Sequence, residues 1–217
     1  MTNFLVLAAL VLVSCSGDRG ADPDDGFGSG ADSAEEAVTE LLVHLSSGEF
    51  SAAVPLTIPG QAALASLAEG ATVEDVANGL RDGDETIANN FWSGFAQTVE
   101  PALLEAPAVI GSSPATVEDV AFTVVTVSGG AVERTFTTRD LEGHRIDIFA
   151  TFGPSLAARL YAPVERLFES TDPDAAFILG ELREQVPALH MAAQTPGLAP
   201  NVVQDILQLI ELITRIN

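Results

Sequence analysis

Apolar side chains in the first half of the chain recur every three or four residues, which is the spacing of amphipathic helices. The clearest helix begins after Ser33, where Ser-Ala-Glu-Glu forms a capping-box pattern, and ends at Gly48, a residue type typical of helix C-caps. We predict further helices over 49–54 (stopping before Pro55), over 61–69, from a Thr72 cap to a break at 82–84, and along the Ile87, Phe91 and Phe95 stripe. Pro101 and Pro107 are predicted to end this helical half.

The period of the apolar residues changes to two from about Val117, which indicates strands. We predict one strand around 120–125, a second over 132–139 and a third over 144–152, with turns at 128–130 and 140–143. Three strands joined in a meander predict an antiparallel sheet.

Helical spacing returns after Gly153, and Pro154 suits a first helical turn. Asp172 and Pro173 are predicted to open another helix, which Pro187 ends or kinks; after a break at 196–197, Pro200 opens an amphipathic last helix. The order of helices, antiparallel strands and helices predicts an α+β fold. In it, N-terminal helices cover a small antiparallel sheet, and a C-terminal helical segment follows.

The first fifteen residues match a secretory signal. Residues 4–13 form a continuous apolar run that is too short for a bilayer span, which needs about twenty residues. The run ends in Leu12-Val13-Ser14-Cys15, which resembles the lipobox of bacterial lipoproteins. This resemblance implies cleavage before Cys15 and a diacylglycerol on its thiol, and two or three acyl chains anchor a protein firmly. The alternative is a buried N-terminal element with an incidental cysteine.

No Lys or Arg precedes the apolar run, although signal peptides normally carry one. Either the true start codon lies upstream of Met1, or the initiator amine alone supplies the positive charge. We predict four parts: a signal peptide over 1–14, lipidated Cys15 with a flexible acidic tether over 15–33, an α+β domain over 34–153, and a helical extension over 154–217 that packs on the same domain. The predicted location is the extracytoplasmic face of the cell membrane. It is the outer membrane in a cell with two, because Ser16 rather than Asp follows Cys15.

Charge narrows the range of partners. The nine cations are all Arg and face 31 acidic residues, so the net charge is −22. Such a chain repels nucleic-acid phosphates and anionic lipid headgroups, so we expect no nucleic-acid partner and membrane attachment only through the lipid. With 47% apolar residues the chain can still build a core. Its single cysteine excludes an internal disulfide and a thiolate-rich metal site.

Two stretches are similar to secreted domains of the nuclear transport factor 2-like, cystatin-like class. They are the helix over 34–45 with the following Gly48-Glu49-Phe50-Ser51-Ala52-Ala53, and the Gly-turn strand Leu141-Glu142-Gly143-His144-Arg145-Ile146-Asp147. The resemblance covers residues 33–152. It implies a cone in which N-terminal helices wrap a curved antiparallel sheet with one open mouth, where enzymatic members hold a His or Asp general base. The competing interpretation is a plain α+β domain with a three-stranded sheet.

His144 is the leading catalytic candidate. It shares strand parity with Ile146 and Ile148 and is predicted to point toward the apolar face, whereas Asp147 is predicted to point away. Asp140 and Glu142 lie in the adjacent turn, so the candidate catalytic set is His144, Asp140 and Glu142. The alternative places His144 half exposed at the strand entrance. The three His residues stand on separate elements and no phosphate-binding loop is present, so the sequence predicts neither a metal site nor a cofactor.

The sequence predicts a membrane-anchored lipoprotein with a binding or structural role, directed at a small apolar ligand or a protein partner. The alternative is a cone-type isomerase, dehydratase or hydrolase with His144 as general base. A third hypothesis is scaffolding through the last helix, which requires its apolar stripe to stay uncovered. Phe91, Trp92 and Phe95 are expected in the core before any pocket. Oligomeric state stays open.

Overall fold

The structure is a computed structural model and describes residues 30–215. In this range the helices are α1 Ala34–Ser47, α2 Phe50–Ala53, α3 Gln61–Ser66, α4 Val73–Asp82, α5 Glu85–Thr98, α6 Pro101–Glu105, α7 Ile148–Glu169, α8 Pro173–Arg183, α9 Val186–Ala193 and α10 Pro200–Thr214. The strands are β1 Ala108–Val117, β2 Val120–Gly129, β3 Val132–Asp140 and β4 His144–Ile146. The predicted α+β fold is confirmed.

Side-chain caps begin several helices where the sequence predicts them. The Ser33 hydroxyl accepts a hydrogen bond from the Glu36 amide at 3.1 Å, and Gly48 ends α1 with a φ of 73°. Thr72 caps α4 and Asp172 caps α8 in the same way, each through its side-chain oxygen. These predicted boundaries are therefore confirmed.

Two of the prolines act differently from the prediction. Pro55 does not stop a helix, because it lies inside the 3₁₀ turn Val54–Leu56 that continues α2. Pro101 does not end the helical half, because it is the first residue of α6. Proline is favoured at the first helical position, where its missing N–H is not needed.

The strands of residues 30–215 form one antiparallel sheet in the order β1-β2-β3-β4, which has one strand in addition to the three located from the sequence. The additional strand, β1, has no clear alternation and contains Gly111-Ser112-Ser113-Pro114. It is an edge strand with mostly exposed side chains and a register shift between Val109 and Gly111. Proline is tolerated there because one side of an edge strand needs no ladder hydrogen bonds.

The predicted third strand over 144–152 is wrong after Ile146. Asp147 caps α7, since its Oδ1 accepts a hydrogen bond from the Ala150 amide at 2.9 Å. The helix therefore begins before Gly153, and Pro154 lies in its interior. The apolar residues in the first turns of α7 (Ile148, Phe149, Ala150 and Phe152) are all buried. Because this segment has no polar face, its sequence lacks the pattern of an amphipathic helix and resembles that of a strand. Helix α7 also runs through the predicted domain boundary at 153/154.

Helix α7 links the sheet to the C-terminal helices, since it contacts β3 as well as α9 and α10. An aromatic cluster fills the core beside it: Trp92 is fully buried and lies edge-on to Phe91, Phe95 and Phe152 at centroid distances of 5.1, 5.8 and 5.9 Å. The expected core role of Trp92 and Phe95 is confirmed, while Phe91 is half-buried.

The last helix, α10, packs on α7 and α9. The buried residues of its stripe are Ile206, Leu209, Ile210, Leu212 and Ile213. Because the chain itself covers this stripe, the scaffolding hypothesis loses the uncovered surface that it requires.

The predicted signal peptide, Cys15 and the tether up to residue 29 lie outside the described residues, so lipidation of Cys15 stays a prediction. Among residues 30–215, no helix combines the length and apolar character that crossing a membrane requires.

Candidate functional site

The predicted catalytic residues lie around the short strand β4. His144 is half-buried, and its main chain pairs with Ala31 through hydrogen bonds of 2.8 and 3.1 Å. Within residues 30–215, its ring atom Nδ1 is buried and has no hydrogen-bond partner. Asp140 is directly opposite His144 in the β3–β4 register.

In the described residues, neither Asp140 nor Glu142 forms a hydrogen bond with the His144 ring. Asp140 Oδ1 accepts a hydrogen bond from the Gly143 amide at 3.2 Å, which closes the turn. Glu142 is exposed, in left-handed backbone conformation with a φ of 56°. A different acid, Glu35 on α1, has a lowered pKa, mainly because Ser112 donates a hydrogen bond to it, with a smaller contribution from the charge of His144. The structure thus places Asp140 opposite His144, but no hydrogen bond joins these two side chains in residues 30–215. Catalysis by His144, Asp140 and Glu142 stays a prediction.

The prediction for the Asp147 side chain is wrong. Its side chain is fully buried instead of pointing away from the apolar face. Oδ1 accepts a hydrogen bond from Gln61 Nε2 at 3.1 Å in addition to the one from Ala150. Oδ2 lies 2.7 Å from Arg139 Nε without hydrogen-bond geometry, so this contact is electrostatic. Burial raises the pKa of Asp147, and the positive charge of Arg139 opposes that rise.

Two glutamines complete what we name the buried polar network, which consists of Gln61, Arg139, Asp147 and Gln185. Gln61 Nε2 donates to Gln185 Oε1 at 2.7 Å, and Gln61 Oε1 accepts from the Ile148 amide at 2.6 Å. The network joins α3, β3, the start of α7 and the α8–α9 connection. Sequence reasoning missed it because Gln61 is 86 residues from Asp147. An aspartate before the apolar run 148–150 was the one available signal, as a helix N-cap.

Arg139 also borders a cleft of about 490 Å³ between the sheet and the helices α8 to α10, which we name the arginine cleft. Its walls include Glu118, Val120, Arg139, Arg183, Glu184 and Pro187. The Arg139 guanidinium lies 6.0 Å from the centre of the Phe122 ring. In the described part of the chain, Arg183 Nη2 is buried without a hydrogen-bond partner.

A second cleft, of about 520 Å³, lies among α3, α4 and α5, and we name it the helical cleft. Ala62, Ile87 and Phe91 supply apolar surface to it. Its polar lining includes the carboxamides of Asn78 and Asn90 and the carboxylates of Glu69 and Asp75. No Arg or His is among the described residues that line it.

Metal-binding side chains are dispersed in this structure. Over residues 30–215, no group of three or more His, Cys, Asp or Glu side chains is placed to hold a metal ion. We take the arginine cleft and the helical cleft as candidate sites for small molecules.

Comparison with known proteins finds no family model, curated protein or solved structure that matches the chain. The resemblance to lipoproteins and to the nuclear transport factor 2-like class stays a prediction.

Proposed function

We propose that this chain is an extracytoplasmic lipoprotein, anchored through Cys15, whose α+β domain binds a small, partly apolar molecule in the helical cleft. The observation that carries the binding role is the cleft itself. Its volume of about 520 Å³ lies within the range of about 300–1,000 Å³ typical of small-molecule sites.

The apolar side of the helical cleft is rigidly supported. Phe91 is half-buried, and its ring lies edge-on to Trp92 at 5.1 Å and to Phe152 at 5.5 Å. These contacts fix the exposed part of the Phe91 ring as a preformed apolar surface. A ligand with an apolar ring or short alkyl group would gain about 25 cal/mol for each Å² of apolar surface that it buries there.

The polar side of the helical cleft favours a neutral or cationic ligand. Asn78 and Asn90 are exposed and offer both donors and acceptors. The two carboxylates of the lining are exposed; Glu69 lies 3.6 Å from Arg159, and Asp75 accepts a hydrogen bond from the Thr72 hydroxyl. Together with the net charge of −22, this lining repels anions.

A titration with two dyes of the same skeleton tests the binding role. N-phenylnaphthylamine is neutral, whereas anilinonaphthalene sulfonate adds one negative charge. We expect the neutral dye to bind more tightly and to quench Trp92, the only tryptophan, because Trp92 lies directly behind Phe91.

Asn90→Phe fills the helical cleft and should weaken binding of the neutral dye by about tenfold. Asn201→Phe places the same ring at the exposed start of α10 and should leave binding unchanged. Equal affinity of the wild type and Asn90→Phe, or no binding of the neutral dye, would contradict the proposal.

Metabolic labelling with a palmitate analogue tests the anchor separately. The wild type should carry the label and Cys15→Ala should not, because the chain has one cysteine. Equal labelling of both proteins would exclude lipidation at Cys15.

A further inference from the structure

We propose that the arginine cleft is a second binding site, and that it takes a small zwitterion of the α-amino-acid class. Arg139 and Arg183 would receive the carboxylate, Glu118 and Glu184 would face the ammonium group, and an apolar side chain would lie against the valine and proline wall. The site shares no lining residue with the helical cleft.

Arg139 is held in place from behind. Its side chain is 16% exposed, and its Nε faces the fully buried Asp147 at 2.7 Å. Asp147 is in turn fixed by Gln61 and by the Ala150 amide. This contact uses only the Nε of a guanidinium that carries five N–H donors, and Arg139 is among the residues that line the cleft. A positioned guanidinium of this kind is suited to a carboxylate, which it can bind with two parallel hydrogen bonds.

Arg183 supplies a second guanidinium, from the last turn of α8. Within the described residues its Nη2 is buried and lacks an acceptor, and leaving such a donor unsatisfied is unfavourable. A ligand carboxylate in the cleft would provide the missing acceptor after a small side-chain adjustment. Two of the nine arginines therefore border one cleft in a chain with 31 acidic residues.

The acids in the cleft exclude a simple anion as the preferred ligand. Glu118 and Glu184 line the same walls, and Glu118 Oε1 lies 3.4 Å from His190 Nε2. A free anion would meet these carboxylates and the repulsion of the whole chain, whereas a zwitterion carries no net charge and complements both signs. Val120, Val186 and Pro187 add apolar surface to the cleft, against which an apolar side chain can pack.

Isothermal titration of the full-length protein with three matched probes tests this proposal. The probes are L-leucine, isocaproate, which lacks the ammonium group, and isoamylamine, which lacks the carboxylate. We expect L-leucine to bind at least about tenfold more tightly than either analogue. No binding of L-leucine, or isocaproate binding as tightly as L-leucine, would overturn the proposal.

Three variants place the binding in the arginine cleft. Arg183→Gln and the exposed Glu184→Gln should each weaken L-leucine binding by about tenfold without lowering the melting temperature. Arg166→Gln makes the same charge change as Arg183→Gln at an exposed position of α7 outside this cleft, and should bind like the wild type. Unchanged binding by both Arg183→Gln and Glu184→Gln would overturn the proposal. Since dye binding reports on the other cleft, its success or failure is independent of this test.

Discussion

Removing the charge of Asp147 is expected to destabilise the protein strongly. In Asp147→Asn the side-chain oxygen can still accept the hydrogen bond from the Ala150 amide, so the cap of α7 is kept. What is lost is the negative charge beside Arg139, whose side chain is 16% exposed. The substitution therefore isolates the buried ion pair from the cap.

The expected cost follows from the burial of the pair. Breaking a buried ion pair by removing one partner costs about 3–5 kcal/mol, because the remaining charge is left uncompensated. Arg139 borders the arginine cleft, where water can reach part of its guanidinium, so we expect the lower value, about 3 kcal/mol. Asp147→Ala also removes the cap and should cost about 1 kcal/mol more.

A double-mutant cycle measured by urea denaturation, with Trp92 fluorescence as the signal, tests this expectation. Arg139→Met replaces the cation by an apolar side chain. The double variant Asp147→Asn/Arg139→Met should be more stable than the sum of the two single effects, by about 2 kcal/mol. Additive effects, or an Asp147→Asn variant within about 0.5 kcal/mol of the wild type, would refute the buried-pair argument.

Two further expectations concern stability. Burial raises the pKa of Asp84, and hydrogen bonds from backbone amides, first among them Ala63, oppose the rise. The folded state therefore favours the protonated carboxyl. The stability that Asp84 contributes is full below its unfolded-state pKa of about 3.9 and is lost as the pH rises through its folded-state pKa. In urea midpoints measured across this window, the wild type should lose stability relative to Asp84→Asn as the pH rises, and a constant or opposite difference would contradict the shift. A Cβ at Gly129 would lie 2.2 Å from the Ala102 carbonyl oxygen of α6, so Gly129→Ala should cost about 1–3 kcal/mol. Thermal unfolding of both variants tests this: Gly94→Ala, which meets open space in α5, should be neutral or stabilising, and equal effects of the two alanines would refute the packing argument.

The sequence predicted the boundaries of a secondary-structure element correctly where local residues alone determine them. Ser33 and Gly48 bound α1 through a hydroxyl cap and a left-handed glycine, and both act over a few residues. Strand β1 could not be predicted in this way, because its edge position in the sheet, and not its own residues, makes Pro114 acceptable there.

The candidate sites could not be predicted from the sequence, because tertiary contacts form them. The prediction that Asp147 points away followed from extending strand parity beyond Ile146, where the chain in fact begins a helix. The partners of Asp147 come from α3 and β3, and the walls of both clefts come from several elements each. No periodicity in the sequence encodes such groupings.

Amide chemical shifts, followed by two-dimensional NMR during a titration with N-phenylnaphthylamine, test ligand binding in the helical cleft most directly. We expect the largest shifts in α3, α4 and α5, at residues such as Ser66, Asn78 and Asn90 that line the cleft. Amides of β2 and β3 should change little. Shifts centred on another part of the molecule, or no shifts at a large excess of dye, would contradict the proposed function.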